Sequence, residues 1–362
     1  MAGSNRGSAH LVDLQDSIRK ESKRLMKVLL LAGGNSSERN VSVNTGKSVY
    51  NALTRLGHQV IAIDPASGRS LLDGEGNYQL PEATADKSVL RAASGLVNEL
   101  GKQQFEDAEV VFLALHGGAG EDGSIQNLLS LAGKKYTGSS MAASAVAMNK
   151  SMAKRLFQSV GIPTPDGETY RVGTDSSVVT LSQMITERFD LPVIVKPNGG
   201  GSTIGLTKVD SEDQLAAAFE RAAREDKTIL VEEYIKGREL TVAVLDRHAF
   251  PVVEIVPRSG LYDYEAKYTK GKSEYIAPAK IPEQVSREIR DAATKACEVI
   301  GTSGLARVDF ILRDDGRYFC LEVNTLPGMT DLSLAPMAAK CEGIDFDLLV
   351  QKVIESGIKR ED

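Results

Sequence analysis

The chain has 362 residues, of which 42% are hydrophobic and 25% charged, and its net charge is −6. At about 100–200 residues per domain this predicts two or three domains. The longest apolar runs, such as Val28–Ala32 and Val110–Leu115, are strand length and far short of a membrane span, so no membrane partner is expected. The acidic balance argues against nucleic acid as a partner. Three cysteines without C-x-x-C spacing argue against a disulfide framework or a zinc site and fit a reducing, cytoplasmic setting.

Residues 1–25 are polar and lack the apolar core of a signal peptide. They read as an added tail or a disordered extension ahead of Met26. From Lys27 onward, strands and helices alternate. Val28–Ala32 predicts a strand ending at Gly33-Gly34, Val41–Leu56 a helix, Gln59–Ile63 a second strand, Ser88–Gly101 a helix and Glu109–Leu115 a buried strand. A glycine-rich stretch, His116–Gly123, follows, then a helix through Leu131. This alternation predicts an α/β fold with a parallel, Rossmann-like sheet in residues 26–138, whose ligands sit at the carboxyl ends of its strands.

Residues 139–232 form a predicted central domain. It contains helices around Asn149-Lys150, the strand Pro192–Lys196, a glycine turn at Gly199–Gly201, a helix over Ser211–Glu225 and the strand Thr228–Glu233. Residues 233–362 form a predicted third domain. It contains a Tyr/Lys-rich loop (Gly260–Lys272), a helix Glu283–Ile300 and a hairpin.

The hairpin carries the sharpest chemical signal. Leu305–Leu312 and Arg317–Val323 are strand-like, and Asp315-Gly316 between them suits a two-residue turn. Pairing across that turn places Asp309 opposite Glu322 and Arg307 opposite Asn324, all on one face. Val308, Phe310, Leu312, Phe319, Leu321 and Val323 would form the core face, with Cys320 as a small packing residue on the polar side. Two opposed carboxylates repel. A hard divalent ion such as Mg²⁺ relieves that repulsion and also binds phosphates. A solvated face with compensating charges is the alternative.

Lys196 ends an apolar strand and precedes Pro197-Asn198-Gly199-Gly200-Gly201-Ser202-Thr203. Backbone N–H groups of such a turn can approach phosphate oxygens, with lysine supplying charge. A flexible surface loop would read the same way. Glu232-Glu233-Tyr234-Ile235 and Glu239 end a strand, where a carboxylate could hold ribose hydroxyls and backbone groups could read an adenine edge. An ordinary acidic strand end is equally compatible. Glu38 and His116 follow the ends of two parallel strands and can face one crevice, although a structural histidine is the common case.

In this order, these segments resemble D-alanine–D-alanine ligases over Lys27–Leu349. The resemblance is carried by Leu31–Ser42, Ala114–Gly123, Tyr136–Ser139, Val193–Pro197, Tyr262–Tyr268 and Glu322–Thr330. It implies a three-domain ATP-grasp fold and an ATP-dependent ligase joining two D-alanines through an acyl phosphate, for peptidoglycan precursor synthesis. By position, Lys150 and Lys196 would bind phosphates, Lys267 would reach the γ-phosphate, Glu232 through Ile235 would contact adenine and Glu239 the ribose. Asp309, Glu322 and Asn324 would hold two Mg²⁺ ions, with Mn²⁺ able to substitute. Glu38 and His116 would orient the first D-alanine. Ser202 and Tyr268 would complete a closing network with Glu38 under a mobile lid, Gly260–Lys272. Arg307 and the N–H of Gly328 would stabilise an oxyanion, and Ser333 and Leu334 would receive the second substrate's carboxylate. A homodimer is expected. The chain departs from the family at Gly199-Gly200, where Arg-Glu is common, at Thr203 and at Leu332, where a histidine is common. A relative using D-serine or D-lactate as acceptor, and a non-catalytic nucleotide-binding regulator, are the competing readings.

Overall fold

The computed structural model describes residues 24–80, 94–172, 178–201, 203–257 and 273–360. The Gly260–Lys272 loop, Ser202, Lys267, Tyr268 and most of residues 1–25 lie outside them, as does the first half of the Ser88–Gly101 helix.

Three sheets organise the chain. Strands β1 (Lys27–Leu31), β2 (Gln59–Ile63) and β3 (Val110–Leu113) form a parallel sheet in the order β2-β1-β3. Helix α1 (Arg39–Arg55) connects β1 to β2; α2 (Ser94–Glu99) and α3 (Gln103–Glu106) precede β3, and α4 (Ser124–Leu131) follows it. The apolar run of β1 is buried on both faces, as a central parallel strand requires.

Helices α5 (Met141–Met148) and α6 (Lys150–Ser159) lead into a second, antiparallel sheet. Its strands are β4 (Gly167–Arg171), β5 (Val193–Pro197), β6 (Thr207–Val209) and β7 (Thr228–Glu233), in the order β4-β7-β5-β6, with α7 (Val178–Arg188) and α8 (Leu215–Ala223) between them. The third sheet is also antiparallel. Strands β8 (Arg238–Leu245), β10 (Val253–Pro257), β11 (Ser273–Ile276), β12 (Leu305–Leu312) and β13 (Tyr318–Asn324) run β11-β10-β8-β12-β13, and the short β9 (His248–Ala249) pairs with β8. Helix α9 (Glu283–Ile300) covers one face, with Ile289, Ala293 and Ala296 packed on Val242, Val308 and Phe310. Helices α10 (Leu334–Lys340) and α11 (Phe346–Lys359) then return to the beginning of the chain. Leu349, Val350 and Ile354 share one core with Val28, Leu30 and Leu53.

The hairpin corrects two expectations at once. Arg313 pairs with Arg317, so the connection is a three-residue loop, Asp314–Gly316, with Gly316 left-handed at φ 84°. This shifts the register by one, and Phe310 faces Cys320. A β-bulge between Asp309 and Phe310 shifts it back, so that Asp309 does face Glu322 and Arg307 does face Asn324. The bulge also turns Leu321 to the same side as Glu322. Leu321 therefore lines the cavity described below, and Cys320, not Leu321, is the core residue, fully buried beside Val308, Phe310 and Val323.

Candidate active site

A cavity lies between the second and third sheets. Lys150 and Lys196 line one wall and Asp309 and Glu322 the other, with Ile235 and Leu321 among the apolar residues between them. Each charged side chain is placed by a rigid element. Lys150 opens α6, whose start is capped by the Asn149 side chain accepting from the Met152 N–H at 3.1 Å. The Asn198 amide donates to Asn149 at 2.9 Å and accepts from the Ser151 N–H at 2.9 Å, tying the glycine-rich turn to the helix start. Lys150 Nζ then donates to the Gly200 carbonyl at 2.6 Å and lies 3.3 Å from Glu322.

Asp309 accepts from Arg307 through two hydrogen bonds, 2.9 and 2.8 Å, and from the Thr241 hydroxyl at 2.6 Å. Asp309 and Glu322 are thus opposed in register, partly exposed and each beside a cation. Asn324 follows on the same strand, and its side chain accepts from the Leu326 N–H at 3.1 Å. Two carboxylates and an amide form a hard-oxygen donor set of the kind Mg²⁺ takes together with phosphate oxygens.

Glu232 through Ile235 and Glu239 all line the cavity. Glu232 is buried and bridges two ammonium groups, Lys154 and Lys196. Burial opposes its ionisation, but the two lysines prevail and hold its carboxyl below the ordinary range. The Glu233 carboxylate turns aside to accept from the Asp166 N–H at 3.0 Å, and Lys208 stacks 4.7 Å over the Tyr234 ring. Lys154 was not foreseen. Its signal was available, since it lies one helical turn from Lys150 on α6 and so shares its inward face.

At the carboxyl ends of β1 and β3, Glu38 and His116 are both buried. A Cβ added to Gly117 or to Gly201 would meet the Glu38 carboxylate at 2.8 or 2.9 Å. Glycine at both positions therefore lets the phosphate-type turn and the first sheet's loop close on this residue. His116 donates from Nδ1 to the Leu326 carbonyl at 3.0 Å and accepts at Nε2 from Thr45 at 2.8 Å. It ties the first sheet to the loop after β13. Sequence reading missed Glu121, buried 3.8 Å from His116. Burial, then the Glu38 charge, push its carboxyl above the usual range against the pull of His116.

Beyond the hairpin, Ser333 precedes α10 and hydrogen-bonds the Thr330 hydroxyl at 2.8 Å, while a Cβ at Gly328 would meet Ser333 Oγ at 3.0 Å. Leu334 is the first residue of that helix, whose early N–H groups are free of intrahelical partners. Leu332 beside it is exposed.

Two antiparallel sheets closing on a cleft that carries lysines on one side and opposed carboxylates on the other, attached to a parallel-sheet domain, define the ATP-grasp class of ligases. Residues 27–139 match the family profile described as D-ala D-ala ligase N-terminus, and residues 156–355 match D-ala D-ala ligase C-terminus. The chain is 41% identical to the D-alanine–D-alanine ligase of Syntrophotalea carbinolica, with 95% of this chain and all of the relative covered. It is 40% identical to that of Aquifex aeolicus, covering 91% and 100%. Among solved structures it matches the VanG D-Ala:D-Ser ligase from Enterococcus faecalis with a TM-score of 0.73 at 29% identity, over 92% of this chain and 100% of that one. The chain belongs to the D-alanine–D-alanine ligase family.

Proposed function

We propose that the protein joins two D-alanines into D-alanyl-D-alanine at the expense of ATP, for peptidoglycan precursor synthesis. The observation that carries this reading is the facing pair Asp309 and Glu322 in the same cavity as Lys150 and Lys196. In this reading the catalytic domains are residues 26–138, 139–232 and 233–362. Adenine packs between Ile235 and Leu321, Glu239 faces the ribose and Lys150 and Lys196 face the phosphates, with Lys267 at the γ-phosphate. Asp309, Glu322 and Asn324 hold two Mg²⁺ ions, for which Mn²⁺ substitutes. When bound, the ions neutralise charge on the transferring phosphoryl group.

A carboxylate is a poor electrophile, so the first D-alanine, oriented by Glu38 and His116, is activated as an acyl phosphate. The amine of the second D-alanine, its carboxylate held at Ser333 and the Leu334 N–H, attacks the activated carbonyl. Arg307 and the Gly328 N–H stabilise the oxyanion. The Glu38–Ser202–Tyr268 network and the Gly260–Lys272 lid keep water from the intermediate. The enzyme acts as a cytoplasmic homodimer. The described cysteines are all free thiols, in keeping with a reducing compartment.

The test is product formation. Purified protein with ATP, Mg²⁺ and D-alanine should release phosphate and yield the dipeptide. With D-serine or D-lactate in competition, D-alanyl-D-alanine should remain the main product. Folded protein that makes no dipeptide, or that favours another acceptor, overturns the proposal.

A further inference from the structure

Lys154 has no part in the chemistry above. It is 5% exposed, does not line the cavity and is held on α6 one turn beyond Lys150. An ammonium taken out of water is retained only where it is paired. Its partner is Glu232 Oε2, while Lys196 Nζ donates to Oε1 at 2.5 Å. Helix α6 and strands β5 and β7 thus contribute two ammonium groups and one carboxylate to a single buried triad. Burial pushes the Cys320 thiol on β13 well above its ordinary value, so it stays neutral.

The two lysines are not equivalent. Lys196 lines the cavity, so its charge is shared with whatever phosphate binds there. Lys154 does not line the cavity, and among the described residues its ion-pair partner is Glu232. With one oxygen anchored from each side, the carboxylate has a fixed orientation, and its remaining lone pairs are left for the cavity. An ionised carboxylate only accepts hydrogen bonds. It matches a purine 6-amino group, which donates, and opposes a 6-oxo group, which accepts. A protonated Glu232 could donate to the 6-oxo group and would lose that discrimination.

We propose that Lys154 is a positioning residue for nucleobase selection, holding Glu232 as an oriented, ionised acceptor so that the cavity takes a 6-aminopurine nucleotide and rejects a 6-oxopurine one. This rests on the reading that the cavity holds the base of ATP. Burial alone would raise the Glu232 carboxyl, and the two lysines together keep it low, which is the state the selection needs.

The experiment compares ATP with inosine triphosphate on the full chain with Mg²⁺ and D-alanine, following phosphate release. Lys154→Met should raise KM for ATP about tenfold, the scale of one hydrogen bond to a charged group. It should leave kcat within about twofold, and the ATP-to-inosine ratio of kcat/KM should fall by about tenfold. Lys154→Arg, which keeps the charge, should retain the ATP preference. Should Lys154→Met fail to fold, Lys154→Arg decides: loss of preference there overturns the proposal. So does an unchanged preference in folded Lys154→Met. Glu232→Gln separates the two readings. If it loses the preference while Lys154→Met keeps it, only the role of Lys154 falls. If Glu232→Gln leaves both nucleotides unaffected, the base is not read by Glu232, and the placement of adenine falls with it.

Discussion

Each of the two facing carboxylates has a cation of its own: Arg307 at 2.8 Å from Asp309, and Lys150 at 3.3 Å from Glu322. Neutralising one therefore removes an ion pair along with the cross-strand repulsion, and the two effects oppose each other. Glu322 is partly exposed, with 26% of its side chain accessible. Glu322→Gln should consequently shift folding stability by no more than about 0.5–1 kcal/mol. Activity should fall by roughly 100-fold or more, because the ion's contribution to the transition state is worth several kcal/mol. Thermal melts and steady-state rates check the two halves, and added Mg²⁺ should restore part of the rate. Glu121 gives a pH signature. Burial raises its folded carboxyl above the ordinary value of 4.5. The proton it keeps in the fold favours the folded state below that value, and the benefit is lost as pH rises through the raised folded pKa. Glu121→Gln should melt further above the parent protein as pH climbs from about 4.5 towards neutrality. A difference that stays constant with pH would contradict this origin.

The bulge between Asp309 and Phe310 is the element on which the site turns. It compensates the longer loop at Asp314–Gly316 and places Leu321 and Glu322 together on the cavity side. Deleting Leu321 should remove the bulge while leaving Asp309 opposite Glu322, because the shifted register then continues through the pair. The expected protein is folded, with KM for ATP raised by loss of the Leu321 wall but with Mg²⁺-dependent turnover retained. Loss of all metal dependence would show that the bulge itself shapes the ion site. Phe310, in the register-neighbouring position, points the other way and is 1% exposed. Phe310→Asp should abolish cooperative folding, since it buries an unpaired charge; circular dichroism and solubility report it.

At the scale of the whole chain, the last helix is a partner of the first sheet. Leu349, Val350 and Ile354 of α11 are fully buried in one core with Val28, Leu30 and Leu53, and Asp347 accepts two hydrogen bonds from Arg55 at 2.9 and 2.6 Å. The apolar contacts dominate that union, since an exposed ion pair contributes only about 0–1 kcal/mol. Ile354→Ala should cost about 2–5 kcal/mol, and Arg55→Ala less than about 1 kcal/mol. If the first sheet and the chain end are one cooperative unit, denaturant midpoints from probes on α1 and on α11 should coincide. Separate midpoints would show that the terminal helix docks as an independent element.

The parallel order of the first sheet follows from strand–helix alternation. The facing of Asp309 with Glu322 follows from hairpin periodicity, though it was reached through two offsetting errors of one residue, a loop one longer and a bulge. Glycine-rich turns after apolar strands marked where ligand-facing backbone would lie, and the family resemblance supplied the order of these parts. A bulge cannot be read from alternation, because Leu321 is apolar and reads as core whether it packs on Phe310 or lines a cleft. Strands β8 through β11 were not foreseen, because RELTVAVL and its neighbours carry no turn signal comparable to Asp-Gly. The pairing of Lys154 with Glu232, of His116 with Leu326, and of the final helix with the first helix through Asp347 and Arg55 joins residues 78, 210 and 292 positions apart. Local propensity and spacing carry no information at that range; only the burial of matched apolar faces and the need to pair buried charges selects those partners.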